Sequence, residues 1–353
     1  RLAPNDPRIK AAVNSGRVSK TDNFADRARV LRQMWRRDPS SPEPGLELVR
    51  IALDAGYPDA AFMAASALVT RGMANQQAED LYKRHRPRFV IRAQRTLDGQ
   101  RWAALRHPLD SPELCAVFEI LAPAIEASFP LSLEDLELDE SMEVTNEELP
   151  EPFIRMRAYV AQMLGVQSPR VFVRSDFGHQ IHVGAVSPPL LLAGDDILTS
   201  PERAELSFRI GRAMTYLMPG RTFAGSRPAR LLKAAVLAVY QTLQPNIPLE
   251  DPQGLIATVT PHLAAMPPNV LGRAQTLVAQ LTEHSGNLNL SKWSRALART
   301  ADRVGLMMCG DLPAAVRFVR DSGSIEAVDA LIDFAIGNNC WHVRDALGIS
   351  IAV

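Results

Sequence analysis

The sequence predicts a mainly α-helical protein in which a helical-repeat region is followed by an α+β domain with a small sheet. Through roughly the first 130 residues, apolar side chains recur at helical spacing in short stretches that end at Gly or Pro. Three short runs rich in Val, Ile and Leu follow between residues 168 and 195, and helical periodicity then returns. This order of helix, small sheet and helices is typical of an α+β domain.

Four helices are expected in the N-terminal region, and residues that end helices separate them. They are predicted at 24–37, 44–55, 58–70 and 75–85. Gly56, Gly72 and Pro87 follow the last three of these stretches, since Gly terminates helices in a left-handed conformation and Pro cannot continue one. Helices of this length with short connections are typical of helical-repeat proteins.

The segment from Pro42 to Pro87 contains the last three of these helices, and the turn Ala-Gly-Tyr-Pro-Asp at 55–59 connects the first two of them. Small residues lie where paired helices must approach closely: Ala52, Ala60, Ala64, Ala65 and Ala67. These features resemble a tetratricopeptide repeat, although the Trp-x-x-Leu-Gly signature is missing and only one or two repeats fit. The resemblance implies a surface that binds a protein partner, whereas a plain bundle of helical hairpins is the alternative.

A connector is expected at 89–151, between the tetratricopeptide-like region at 1–88 and the second domain at 152–353. Two more helices are predicted within 89–129, one of them beginning at Ser111-Pro112-Glu113. The acidic stretch at 134–151 contains no basic residue. We interpret it as a solvated loop, and docking of a basic partner is the alternative.

Two segments of the second domain carry a recognisable pattern. The first, at 200–217, reads Ser-Pro-Glu-Arg-Ala-Glu-Leu-Ser-Phe-Arg-Ile-Gly-Arg-Ala-Met-Thr-Tyr-Leu, and the second, at 297–311, reads Leu-Ala-Arg-Thr-Ala-Asp-Arg-Val-Gly-Leu-Met-Met-Cys-Gly-Asp. Together they resemble the two site helices of HExxH zinc metallopeptidases of the CAAX prenyl protease and heat-shock protease type, which have a gluzincin fold. The resemblance covers about Phe153 to Arg320. In the first segment, Ser200 is predicted to cap the helix, with Pro201 at its first position.

The HExxH positions of that family are all replaced in this sequence. With Glu205 and Gly211 as anchors of the alignment, the two histidine positions hold Arg212 and Tyr216, and the glutamate position holds Ala213. A working site needs two neutral imidazoles one helical turn apart and a carboxylate that deprotonates the zinc-bound water. An arginine is instead permanently cationic and repels a divalent ion.

The second segment has lost the third ligand of the family. That ligand is a glutamate four residues before Asp302, and Ala298 occupies its position. Asp302 itself is present, and we expect it to pair with Arg212 or to cap a nearby backbone group. The resemblance therefore implies a degenerate zinc-peptidase domain that has no metal or other cofactor and is kept for its shape.

A wider resemblance covers the whole arrangement. The segment at 301–311 and the later Arg344-Asp345-Ala346-Leu347-Gly348 resemble the end of large tetratricopeptide-repeat proteins of the myxobacterial kind, which terminate in such a ligandless domain. The function that these resemblances imply is a non-catalytic protein-interaction or scaffolding module of a larger assembly. The alternative is a hydrolase or other enzyme with non-zinc chemistry around Arg212, Tyr216 and Asp302.

The remaining candidate sites favour structural roles. His179 and His182 would point to opposite faces of a strand and could not chelate one ion together. The neighbours Cys340-Trp341-His342 lack an orienting acid for nucleophilic chemistry. The arginine-rich run from Lys83 to Arg101 has few aromatic residues between its charges, so nucleic-acid binding is not expected.

Composition agrees with a globular protein and gives no global attraction to nucleic acid or to anionic membranes, because the formal net charge is zero. No apolar run is long enough to span a membrane. Three cysteines without CxxC spacing argue against a disulfide framework and favour a reducing cytoplasm. The first residue is Arg1 rather than Met, which fits a piece of a longer protein, and the question whether a targeting segment precedes it stays open.

Overall fold

The computed structural model describes residues 20–88, 92–200, 202–285, 289–321 and 324–351. Within them the chain is mainly helical and contains one small three-stranded sheet. The chain folds into two compact units. Unit 1 combines 1–88 with 310–353, and unit 2 comprises 89–309.

The elements follow one another in the order helices, sheet, helices. They are α1 (Lys20–Arg37), α2 (Glu43–Asp54), α3 (Pro58–Arg71), α4 (Gln76–His85), α5 (Gly99–Leu105), α6 (Pro112–Ser128), α7 (Glu151–Leu164), β1 (Arg170–Val173), β2 (Ile181–Gly184), β3 (Leu190–Ala193), α8 (Asp195–Thr199), α9 (Arg203–Met214), α10 (Thr222–Ser226), α11 (Ala229–Leu243), α12 (Leu255–Ala264), α13 (Pro268–Ser285), α14 (Leu290–Cys309), α15 (Leu312–Arg320), α16 (Ile325–Ala335) and α17 (Asn338–Leu347). The four predicted N-terminal helices are confirmed as α1 to α4.

In unit 1, consecutive helices pack on one another, α1 on α2, α2 on α3 and α3 on α4. A side chain at Gly45 of α2 would overlap its neighbours, since its Cβ would lie 2.7 Å from Trp35 Cη2 and 2.8 Å from Leu68 Cδ2. Helices α15, α16 and α17 also pack on α3. The last three helices therefore belong to unit 1, because their apolar faces are buried against α3.

In unit 2, the sheet has the order β1-β3-β2. Strand β3 is central, parallel to β1 and antiparallel to β2, and all four of its residues are buried. The prediction that strands are confined to about 168–195 is confirmed for the described residues, with a single isolated bridge from Glu143 to Phe172 outside the named strands. Helix α6 begins as predicted, because the Ser111 hydroxyl accepts the Leu114 amide at 3.1 Å.

The acidic stretch is more than a solvated loop, because it covers one face of the sheet. Its apolar residues Leu136 and Leu138 pack in a small cluster with Phe172 and Leu192. Its carboxylates pair with arginines of and after β1: Glu140 and Glu143 with Arg170, and Glu137 with Arg174. Internal charge pairing therefore accounts for part of the acidity that the sequence shows.

The beginning of α9 differs from the prediction. The helix begins at Arg203, and Glu202 occupies the N-cap position without a side-chain cap bond. Ser200 instead ends α8, where its hydroxyl accepts the Glu202 amide at 3.3 Å and donates to Glu205 Oε2 at 2.9 Å. The predicted first-turn residue Pro201 lies outside the described residues. Ser200 therefore does not cap α9, and it contacts the helix through the Glu205 carboxylate.

Candidate functional site

Helices α9 and α14 pack closely against each other in unit 2, and two glycines make this possible. A Cβ at Gly305 would lie 2.7 Å from the Phe208 ring and 2.9 Å from the Phe208 carbonyl oxygen. A Cβ at Gly211 would lie 2.6 Å from Met308 Cγ and 3.4 Å from Gly305 Cα. The backbones therefore approach each other at a spacing that side chains at these positions would prevent.

One residue beyond this crossing, Arg212 of α9 forms an ion pair with Asp302 of α14. Arg212 Nε donates to Asp302 Oδ1 at 2.7 Å, and Arg299 Nη1 lies 3.6 Å from Asp302 Oδ2. The Asp302 side chain is 3% exposed and the Arg212 side chain 31% exposed. The predicted pairing of these two residues is confirmed. Burial alone would lower the pKa of the Arg212 guanidinium, but the charge of Asp302, the neighbouring Tyr216 and the hydrogen bond to Asp302 together raise it.

The other positions that the resemblance singles out lie close to this ion pair. Tyr216 follows α9 in a 3-10 turn, and its ring packs on Gly225, where a Cβ would come within 2.7 Å of the ring. The Tyr216 carbonyl accepts the Thr222 hydroxyl at 2.9 Å, and burial raises the pKa of the Tyr216 phenol. Ala213 is buried, and Ala298 is half-buried one turn before Asp302. Packed and paired side chains thus occupy the four positions that the resemblance assigns to metal chemistry.

A second polar group lies at the first turn of α9, and sequence reasoning used its central residue only as an alignment anchor. Glu205 is 7% exposed. Its carboxylate accepts Arg209 Nε at 2.9 Å and the Ser200 hydroxyl at 2.9 Å, and it lies 3.1 Å from His179 Nδ1. No local spacing rule predicts such a group, because Ser200 and His179 come from a loop and a turn before the helix.

The two histidines do not form a common site, as expected, but they do not both lie on one strand as the prediction assumed. His179 precedes β2, and His182 lies on it. The His182 ring contacts Gln180 Oε1 at 2.7 Å, and partial desolvation of this surface ring together with the charges of Arg212 and Arg209 lowers its pKa. Both imidazoles are exposed. The structure does not bring them into a common site with the Arg212–Asp302 pair, apart from this electrostatic effect.

A buried polar cluster elsewhere in unit 2 escaped the sequence interpretation altogether. Asp110 is fully buried. It accepts the Thr300 hydroxyl at 2.8 Å and lies 3.5 Å from Arg221 Nη2. The Cys115 thiol approaches the same carboxylate at 3.6 Å, and burial raises the pKa of this thiol to about 12. Partners so distant in sequence give no periodic signal, and the arrangement joins α6, α14 and the turn before α10.

The remaining candidate residues from the sequence lie in the core or in surface ion pairs. Cys340 is fully buried, and Cys309 lies in the core at 4% exposure. All three cysteines are thiols that take no part in a disulfide. The Trp341 ring lies 3.9 Å from that of His342 and 5.0 Å from that of Tyr57, centroid to centroid. In the arginine-rich run, Lys83 pairs with Glu79 and Arg101 with Asp98.

The described part of the chain offers neither a cluster of metal ligands nor a membrane span. Its His, Cys, Asp and Glu residues form no group of three or more that could hold a metal ion. None of its helices combines the length and the apolar character that crossing a membrane requires. Comparisons with protein-family models, with curated proteins and with solved structures found no match to this chain.

Proposed function

We propose that this protein is a non-catalytic interaction or scaffolding module of a larger assembly, in which a degenerate zinc-peptidase-like domain is kept for its shape. The observation that supports this proposal most is the pairing of Arg212 with Asp302 at 2.7 Å. In an HExxH peptidase, the corresponding two helices are joined by ligands that meet at one metal ion. Here an ion pair and close glycine packing join them.

The chemistry of the replacements supports the same proposal. Arg212 cannot lose its charge in a protein and repels a divalent cation. Neither Ala213 nor Ala298 carries a group that binds metal or transfers a proton. A metal cross-link contributes to folding free energy, and its loss must be offset. The ion pair and the buried side chains of Met214 and Leu306 offset it.

The interaction role rests on the helices of unit 1. Helices α2, α3 and α4 follow one another through short turns, as paired helices of a tetratricopeptide-like array do. Such arrays bind helices or extended peptides through side chains of one face. A protein partner bound at these helices, with no role for nucleic acid or for a membrane, is the proposed mode of action.

Restoring the metal site tests the peptidase-like ancestry. The variant Arg212→His/Ala213→Glu/Tyr216→His/Ala298→Glu supplies all four missing groups, and we expect it to bind about one zinc per chain by elemental analysis after dialysis. The wild-type protein and the variant lacking only Ala298→Glu are the matched controls, and both should retain far less zinc. A quadruple variant that keeps its helical circular dichroism but binds no zinc would contradict the ancestry.

The non-catalytic assignment has a separate test. One observation favours the alternative enzyme, since the exposed His179 imidazole is oriented by the buried Glu205 carboxylate at 3.1 Å, an arrangement that general bases use. Purified protein should not cleave a library of fluorogenic peptides and esters. Turnover that is abolished by His179→Ala, while the melting temperature stays unchanged, would establish the enzyme and overturn the proposal.

A further inference from the structure

A cavity of about 190 Å³ lies in unit 2 between α6, the segment after β2 and the turn before α10. Its inner wall is apolar and includes Phe118, Phe223 and Val186, which are 0%, 4% and 9% exposed. Ala122 of α6 also lines it. The ion pair of Arg212 with Asp302 is not part of its lining, so the cavity is separate from the degenerate site.

The walls of this cavity are fixed by tight backbone packing. Gly220 has a φ of +72° and approaches α6 so closely that a Cβ would lie 1.9 Å from the Cys115 carbonyl oxygen. At the other end of α6, Arg227 Nη2 donates to the Phe129 carbonyl at 2.7 Å. A cavity with such walls is formed before a ligand arrives, and binding does not require ordering them.

Two carboxylates give the cavity a charged margin. Glu119 and Glu126 both line it, and they lie on the same face of α6 because seven residues make two helical turns. Glu119 is exposed, and no ion pair to it is found among the described residues. The Arg227 guanidinium is attracted by the carboxylates of both Asp135 and Glu126. The margin therefore carries an excess of negative charge beside an apolar interior.

We propose that this cavity binds a peptide segment that presents one large apolar side chain next to a lysine or arginine. An apolar cavity of about 150 Å³ accepts benzene, so the space suits a leucine or phenylalanine side chain. The cationic neighbour would contact Glu119 or Glu126 at the margin, where complementary charge favours association and selects partners. The inference goes beyond the binding proposed for the helices of unit 1, because it places a second peptide-binding site in unit 2.

Fluorescence anisotropy with synthetic peptides tests this binding site. The probe is a labelled octapeptide with a central Phe between two Lys residues, and the comparison peptides replace the Phe by Ala or both Lys by Glu. We expect each replacement to weaken binding at least about tenfold. A free lysine-rich peptide without an apolar residue that binds equally well would show nonspecific charge attraction and overturn the proposal.

Matched variants locate the site on the protein. Ala122→Trp fills the cavity and should abolish binding of the octapeptide, whereas Ala127→Trp adds the same ring at an exposed position of α6 outside the lining and should not. Glu119→Gln/Glu126→Gln should weaken binding at least about tenfold, and Glu147→Gln/Glu283→Gln is the control of equal charge. Binding that survives both Ala122→Trp and the first glutamine pair would overturn the proposal. It would leave the zinc-restoration result unaffected, so the two tests fail independently.

Discussion

Arg344 of α17 donates two parallel hydrogen bonds to Asp59 in the first turn of α3. Arg344 Nε donates to Asp59 Oδ2 at 2.8 Å, and Nη2 donates to Oδ1 at 3.0 Å. The same carboxylate accepts the Ile351 amide at 2.9 Å, and the same guanidinium donates to the Ile349 carbonyl at 3.2 Å. The Arg344 side chain is only 2% exposed, so this ion pair joins α17 to α3 in the interior of unit 1.

Removing one partner of this pair should strongly destabilise the protein. Asp59→Ala leaves a buried guanidinium without its carboxylate, which costs about 3–5 kcal/mol. The control Asp54→Ala breaks an exposed pair with Arg50 on the neighbouring helix and should cost less than about 1 kcal/mol. Urea unfolding measures the free energy of unfolding of both variants, and equal losses would contradict the role of Asp59 in joining α3 to α17.

The contrast between local and distant features explains what the sequence could predict. Helices α1 to α4 and the Ser111 cap were predictable because periodicity and capping involve residues a few positions apart. The segment around Arg344 was recognised only as a pattern, since its partner Asp59 lies 285 positions away. The pairing of α15 to α17 with α3 escaped prediction for the same reason.

The candidate site shows the same division. The pair of Arg212 with Asp302 could be predicted because two segments resembled helices that must face each other. The group around Glu205 and the cluster around Asp110 could not, because loops bring their members together and no spacing marks them. A buried carboxylate such as Asp110 looks like any turn residue until the packing around it is known.

The ion pair at the candidate site should contribute to stability, although less than the pair in unit 1. Asp302→Ala leaves Arg212 half-buried without its nearest carboxylate and should cost about 2–4 kcal/mol, discounted because the guanidinium is partly exposed. The double variant Arg212→Met/Asp302→Leu should cost less than Asp302→Ala, because it also removes the Arg212 guanidinium that would otherwise lose its nearest carboxylate. Thermal unfolding tests this prediction, and an unchanged melting temperature for Asp302→Ala would show that Asp302 does not contribute to stability.

The close approach of α9 and α14 gives a steric prediction. Gly305→Ala places a Cβ 2.9 Å from the Phe208 backbone oxygen, which cannot move independently of α9, and should destabilise the protein by about 1–3 kcal/mol. Gly272→Ala in α13 is the matched control. Nothing lies within 4 Å of its Cβ, so the better helix former should stabilise by about 0.5–1 kcal/mol. Chemical denaturation measures both variants, and a change in the free energy of unfolding of the same sign for the two would contradict the packing argument.

Tyr82 should make unit 1 sensitive to alkali. Its hydroxyl donates to Asp311 Oδ1 at 3.1 Å, and Asp311 caps the beginning of α15 by accepting the Ala314 amide. Burial, followed by the charge of Asp311 and this hydrogen bond, raises the pKa of the Tyr82 phenol to about 12. A phenolate there would lose its hydrogen bond and face a carboxylate.

The direction of the pH effect follows from the protonated form being the favoured one in the folded protein. Because the pKa of Tyr82 rises from an unfolded value of about 10 to about 12, its contribution is fully present below pH 10. It is lost between about pH 10 and 12 and amounts to about 2–3 kcal/mol. Tyr82→Phe should therefore lose stability relative to wild type at pH 8, and the difference should shrink as the pH approaches 12. Urea unfolding of both proteins across this range checks the effect, and a difference that stays constant with pH would show that the Tyr82 hydroxyl is not coupled to folding.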